Sequence, residues 1–190
     1  MTKQNYKKIP QYLLIKMAQQ NDQKALEELI KRIQKEIFGI FFHLCKKREV
    51  VADLTQEALV KIAKNIPKLK DIDKFKTWTN KIAVNIFYDE LRKNTKQLEN
   101  IDTLEENFSE EIKDDDILPL EKCLANELDC IIKNSILSLP IDSRIAIVLR
   151  EFEGLSYQDI ATLTKTSIGN VKSRISRARV KLQKLLFEYL

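Results

Sequence analysis

The chain contains few of the residues that interrupt helices, with only 3 Gly and 4 Pro among its 190 residues. Strand-rich folds need frequent turns and use Gly and Pro to make them. Hydrophobic residues make up 44% of the chain, and they recur nearly throughout at the three- and four-residue spacings of a helix. We therefore predict an all-α protein built as two small helical domains joined by a flexible acidic linker.

Residues that carry catalysis or bind metals are also scarce. One His excludes a His-based triad with a supporting second His, and no glycine-rich phosphate loop is present, so we expect neither enzymatic activity nor a cofactor. His43 and Cys45 lie close together, but without a CxxC pair we expect no metal site. Cys123 and Cys130 fall about 10 Å apart on one predicted helix, which is too far for a disulfide, so reduced thiols are expected.

Long apolar runs are missing as well. No segment approaches the ~20 apolar residues that cross a bilayer. The lysine-rich residues 1–10 are not followed by the apolar core of a signal peptide. We therefore expect a cytoplasmic protein without membrane insertion.

The charges divide the chain into three parts. Residues 1–93 carry 20 Lys and Arg against 11 Asp and Glu, residues 94–133 carry 4 against 12, and residues 134–190 carry 9 against 5. Basic lobes suit phosphate backbones, although scattered lysines can equally solvate helix surfaces. Together with the helical patterns, the charges predict a domain at residues 1–94, the acidic linker at 95–118 and a second domain at 119–190.

Four helices are predicted in the first domain. The third of them should end at Pro67, and Asp73 should cap the fourth, which we expect to end near residues 92–93. Trp78 shares the apolar side of this fourth helix with Phe75 and Ile82, which favours a core position over base stacking.

The last third of the chain contains two helices separated by a tight break. Ser156 and Ser167 are expected to cap them, because a serine hydroxyl accepts from the unpaired amides at a helix start. The second helix has an apolar face, made of Val171, Ile175, Ala178, Leu182 and Leu185. Its other face is small, polar and cationic, made of Asn170, Lys172, Ser173, Ser176 and Arg177. Such a helix-turn-helix suits a DNA major groove, and the alternative is an amphipathic helix with a solvated basic face.

Several motifs carry a resemblance to a known family. Residues 154–161, 169–174 and 176–179, reading GLSYQDIA, GNVKSR and SRAR, resemble the C-terminal DNA-reading domain of bacterial extracytoplasmic-function sigma factors. Response regulators have a related helix-turn-helix, so the N-terminal half decides between them. Residues 53–57 and 75–93 resemble the two motif helices of the same family's N-terminal domain, and no strand pattern supports a response-regulator sheet.

The resemblance implies a sigma factor that binds core RNA polymerase and directs promoter-specific initiation by reading the minus-ten and minus-thirty-five elements. It also implies an anti-sigma factor as a partner. The residues implied to bind polymerase are Asp53, Leu54, Gln56 and Glu57. The residues implied to contact the minus-thirty-five duplex are Ser167, Asn170, Lys172, Ser173, Ser176 and Arg177. The minus-ten element would meet Lys68, Lys70, Lys74, Lys76, Asn80, Lys81 and Asn85, which we expect to be exposed.

Two other functions stay open at this point. One is a helix-turn-helix regulator that acts without polymerase, and the other is an adaptor whose basic faces bind acidic proteins. The promoter sequence does not carry over from the family, since Ser167, Asn170 and Ser176 depart from its usual residues. We also expect the two basic lobes to close on each other or on the linker, which would mask the DNA-binding faces.

Overall fold

The computed structural model describes the backbone of residues 5–99 and 127–187 and the side chains of residues 5–93 and 129–187. Within these ranges all regular structure is helical, so the predicted all-α fold is confirmed. The α-helices are α1 (Gln11–Gln19), α2 (Gln23–Leu44), α3 (Arg48–Asn65), α4 (Phe75–Glu99), α5 (Glu127–Leu137), α6 (Ile141–Glu151), α7 (Tyr157–Leu163) and α8 (Ile168–Phe187). Residues 100–118 of the expected linker lie outside the described residues.

The N-terminal half, α1 to α4, is organised around the long helix α2. Its start is fixed by Asp22, whose side chain accepts from the backbone N–H of Lys24 and Ala25. Its apolar positions then recur every three or four residues and are buried, namely Leu29, Ile33, Ile37, Ile40, Phe41 and Leu44. This seam packs against α1, α3 and α4 and forms the core of the half.

The connection from α3 to α4 differs from the prediction. Two short 3-10 turns, Ile66–Lys68 and Ile72–Lys74, fill it, and the side chain that accepts a backbone N–H there is Asp71, not Asp73. The fourth helix also continues to Glu99, beyond its predicted end and into the segment expected to be linker. Residues 94–99 contain neither Gly nor Pro, so nothing in the local sequence stops the helix at the charged pair 92–93.

The C-terminal half, α5 to α8, follows the predicted caps closely. Ser156 accepts from the backbone N–H of Asp159 at 3.1 Å, and Ser167 accepts from that of Asn170 at 3.2 Å. Gly154 has a φ of +67° after α6, a conformation that glycine adopts without strain. The tight turn between α7 and α8 places them as a helix-turn-helix pair, with α8 packed on α6 and α7.

The two halves also pack against each other, α2 against α5 and α6, and α4 against α7. Arg144 on α6 donates to the backbone oxygen of Leu44, at the end of α2, at 3.0 Å. Beside it, the ring of His43 lies 4.0 Å from the ring of Phe152 between centroids. The described residues therefore form one closed arrangement, in which the buried apolar residues of both halves belong to one cluster.

Candidate interfaces for DNA and polymerase

The outward face of α8 has the character that the sequence predicts. Val171, Ile175 and Ala178 are buried against the rest of the half. The opposite face is exposed, and it consists of Asn170, Lys172, Ser173, Ser176 and Arg177, with Ser167 exposed at the cap. The division into two faces is thus confirmed, while contact of the exposed face with DNA remains a prediction.

The four cations at residues 172–179 of α8 fall into two groups. Arg174 pairs with Asp142 at 2.6 Å, and Arg179 pairs with Glu151 at 2.6 Å, so these two arginines are held by the neighbouring helix α6. Among the described residues, no carboxylate lies within ion-pair distance of Lys172 or Arg177. The cations on the exposed face are therefore the ones left for an anionic partner, and a phosphate backbone is such a partner.

The residues expected at the minus-ten element do not all lie on the surface. Lys68, Lys70, Lys81 and Asn85 are exposed, and Lys74 is exposed while it pairs with Asp71 at 3.5 Å. Asn80 corrects the prediction, because its side chain is only 1% exposed. Trp78 packs on the core and lies 6.0 Å from Phe75 between ring centroids, which confirms its predicted core position.

Asn80 is covered by a residue of the other half. Its Nδ2 donates to Oε2 of Glu153 at 3.4 Å, and Nζ of Lys76 lies 3.6 Å from the same oxygen. Glu153 is itself 7% exposed. Burial raises the pKa of its carboxyl, and the nearby Lys76 and Asn80 lower that pKa in opposition. Sequence reasoning missed Glu153, because this residue follows the last turn of α6 and belongs to no periodic face.

The predicted polymerase face of α3 is partly correct in its geometry. Asp53 and Gln56 are exposed, and Glu57 is half-buried beside Lys61, with 2.6 Å between Oε1 and Nζ. Leu54 corrects the prediction, since its side chain is 4% exposed and packs in the core, where no partner can reach it.

An apolar residue lies beside this face and was not predicted. Val60 on α3 is 49% exposed, one turn beyond Gln56 and Glu57. Its signal in the sequence was a large aliphatic residue off the apolar seam of the helix.

The described residues show no group of His, Cys, Asp and Glu that could hold a metal ion. Cys45 is buried and Cys130 is exposed, and both are free thiols; burial raises the pKa of the Cys45 thiol to about 12. Cys123 lies outside the residues whose side chains are described. Within the described helices, none is both long and apolar enough to cross a bilayer.

Comparison with known proteins identifies the two halves. Residues 29–97 match the family of Sigma-70 region 2, and residues 131–182 match the family of Sigma-70 region 4. The ECF RNA polymerase sigma-E factor of Haemophilus influenzae is 34% identical over 175 residues, which cover 90% of this chain and 92% of that protein. The chain belongs to the extracytoplasmic-function (ECF) family of sigma factors. The RNA polymerase sigma-H factor of Pseudomonas aeruginosa is 32% identical over 178 residues, with 91% and 92% covered.

As an ECF sigma factor, the chain directs promoter-specific initiation of transcription by RNA polymerase. The alternative, a helix-turn-helix regulator that acts without polymerase, is not favoured, because the region 2 match covers most of the N-terminal half. The family is one of initiation factors and not of catalysts.

Solved structures agree with the fold. The sigma factor RpoE from Bartonella quintana, solved in complex with the anti-sigma factor NepR, aligns with a TM-score of 0.67 and 27% identity over 86% of this chain and 97% of that chain. CnrH, solved in complex with the cytosolic domain of CnrY, aligns with a TM-score of 0.64 and 22% identity, covering 93% and 97%. The second likeness concerns the fold alone.

Proposed function

We propose that this ECF sigma factor reads the minus-thirty-five element with α8, meets the minus-ten element with the α3–α4 connection and the start of α4, and binds core polymerase with the outer face of α3. The observation that carries the proposal is the two-faced helix α8, which has a buried aliphatic side and an exposed side with unpaired cations. A helix of this kind, second in a helix-turn-helix, is the element that enters a major groove.

The minus-ten assignment is supported by the charge of the α3–α4 connection. Lys68 and Lys70 are exposed there, and Lys74 and Lys76 follow within six residues of Lys70. Lys81 and Asn85 extend the same polar surface along α4. Capture of an unstacked base needs a cationic path for the strand and polar side chains for the base edge, and this surface supplies both.

The polymerase assignment rests on the outer face of α3. It combines the carboxylates of Asp53 and Glu57 with the amide of Gln56 and the exposed methyl groups of Val60. A mixed acidic and apolar strip on a rigid helix fits a partner helix that presents basic and apolar residues. The protein acts in the cytoplasm and without catalysis of its own in this proposal, and an anti-sigma factor is an expected partner because RpoE was solved in complex with the anti-sigma factor NepR.

Holoenzyme formation tests the polymerase face. We expect Glu57→Lys to weaken binding to core polymerase by about 10-fold or more, because it places a cation where a basic partner is expected. Glu27→Lys is the matched control, since Glu27 is an exposed carboxylate on α2 and the change in net charge is the same. Binding would be measured by titrating labelled sigma factor with core enzyme, followed by run-off transcription. Equal affinities of the two variants would refute the assignment of α3.

A further inference from the structure

The contact between the halves places a carboxylate on a surface that the proposed function assigns to DNA. Glu153 comes from the loop after α6, and its carboxylate meets Lys76 and Asn80 on α4. These two residues belong to the face expected at the minus-ten element. An anionic side chain therefore occupies the position where an anionic strand would have to bind.

The burial of this group shows that the contact closes the part of the face around Asn80, while Lys68, Lys70, Lys81 and Asn85 stay exposed. Glu153 is 7% exposed and Asn80 is 1% exposed, so neither the carboxylate nor the amide can meet DNA while they face each other. Lys76 remains half-exposed, so its ammonium is shared between Glu153 and solvent.

The other proposed DNA-binding face, on α8, is not covered by the N-terminal half. Asn170, Lys172, Ser173 and Arg177 are all exposed in the same closed arrangement, and no described residue of the N-terminal half covers them. The N-terminal half therefore does not mask α8, and masking of α8 by the linker, of which residues 100–118 lie outside the described residues, stays a prediction. In the closed arrangement Asn80 on α4 is covered, while the outward face of α8 is exposed.

We propose that Glu153 is an internal anionic cover for the Asn80 part of the minus-ten face, so that the free sigma factor presents α8 to duplex DNA while Asn80 stays covered until the halves separate. The proposal rests on the assignment of the two faces under the proposed function. It gives the chain two DNA-binding surfaces with separate control. A partner that holds the halves apart would uncover α4 and leave α8 unchanged.

The contact is tested first by exchanging its charges. Glu153→Lys and Lys76→Glu each place two like charges across the contact, and both should open the halves. The double variant restores an opposite pair at unchanged net charge, so it should close them again. Small-angle scattering reports the result, because a compact chain of 190 residues has a radius of gyration of about 16 Å and separated halves exceed it. Circular dichroism checks that each variant keeps its helices.

The covering role is tested with two DNA probes of random sequence, a labelled 25-nucleotide single strand and the corresponding duplex. If the closed form holds about four fifths of the free molecules, full opening tightens apparent single-strand binding about 5-fold. We expect this gain for Glu153→Lys over Glu27→Lys, which makes the same charge change on an exposed site of α2. Duplex binding should be equal for these two variants, since α8 is open in both.

The possible results separate the proposal from the function on which it rests. Single variants that stay as compact as the parent, or a double variant as expanded as either single one, would overturn the contact. An expanded Glu153→Lys protein that binds single strands no better than Glu27→Lys would overturn the covering role. Failure of the minus-ten assignment shows elsewhere, as single-strand binding by the expanded Glu153→Lys protein that does not change when Lys68 and Lys81 are replaced by Ala, and leaves the scattering result intact.

Discussion

Arg144 is the residue whose removal should most disturb the closed arrangement. Its Nη1 donates to the backbone oxygen of Leu44 at 3.0 Å, across to α2. Its Nη2 donates to the oxygens of Leu137 and Leu139, at 2.5 and 3.1 Å, in the turn between α5 and α6. One guanidinium thus holds a turn of its own half and the end of a helix in the other half.

The cost of replacing it with Met can be worked from these bonds. A hydrogen bond to a charged group contributes about 1.5–3 kcal/mol, and Arg144→Met removes three while it keeps most of the side-chain stem. Burial lowers the pKa of the guanidinium, and Nε has no hydrogen-bond partner among the described residues, so the variant also recovers a desolvation cost. The recovered desolvation cost should offset about half of what the three bonds contribute. We therefore expect a net loss of about 3 kcal/mol in the free energy of unfolding.

The measurement is urea unfolding, followed by circular dichroism and by the fluorescence of Trp78, the single tryptophan. A loss of about 3 kcal/mol corresponds to a fall of about 6–12 °C in Tm for a chain of this size. Arg150→Met is the matched control on the same helix, because Arg150 makes one backbone bond, to Leu155 at 2.8 Å, and lies 4.7 Å from the ring centroid of Tyr157. With the same offset for desolvation, its loss should cost about 1–2 kcal/mol. If Arg144→Met were no more destabilising than Arg150→Met, the assignment of three productive bonds to Arg144 would be wrong.

Two further predictions concern duplex binding by α8 and the pH dependence of stability. Arg177→Ala should weaken duplex promoter binding by about 5- to 150-fold, whereas Arg179→Ala, which removes the same charge from an arginine held by Glu151, should change binding little; equal losses in a fluorescence-anisotropy titration would exclude α8's outer face. Stability should also fall as pH drops below 6.5, the ordinary pKa of a histidine. Burial lowers the pKa of His43, the Gly39 oxygen and Asp129 oppose this and Lys133 adds to it, so the folded protein binds fewer protons than the unfolded chain. His43→Gln should flatten this slope in urea midpoints measured from pH 7.5 to 5.5, and an unchanged slope would show that another group titrates.

The sequence was sufficient for the elements whose signal is local. The faces of α8 follow from apolar spacing, and the caps at Ser156 and Ser167 follow from hydroxyl chemistry at a helix start. The end of α4 was missed because the charged pair at 92–93 resembles a helix end but does not stop a helix. Residues 94–99 contain neither Gly nor Pro, so helix propensity lets α4 continue through them.

The site was less predictable where its character depends on contacts between distant segments. Asn80 is polar and adjoins exposed lysines, so local patterning indicates a surface position. Its burial depends on Glu153, 73 residues away, and no period in the sequence relates the two. The prediction for Leu54 was wrong for a different reason. Leu54 belongs to a motif implied to bind polymerase, but its side chain packs in the core of its own half. Motif membership places a residue on an element without saying which way its side chain points.

The bonds that Glu153 makes to Lys76 and Asn80 are weak enough for this contact to open. Lys76 is half-exposed, so its pair with Glu153 is worth at most about 1 kcal/mol, and the bond from Asn80 at 3.4 Å adds about 0.5–1.5 kcal/mol. The cores on either side are larger and aliphatic, with Ile37 and Ile62 in one half and Ile145 and Ile160 in the other. Losing any of these isoleucines to Ala would cost about 2–5 kcal/mol. The Glu153 contact can therefore open at a small fraction of the free energy that keeps each half folded, whereas full separation of the halves must also break the bond from Arg144 to Leu44 and the ring contact of His43 with Phe152.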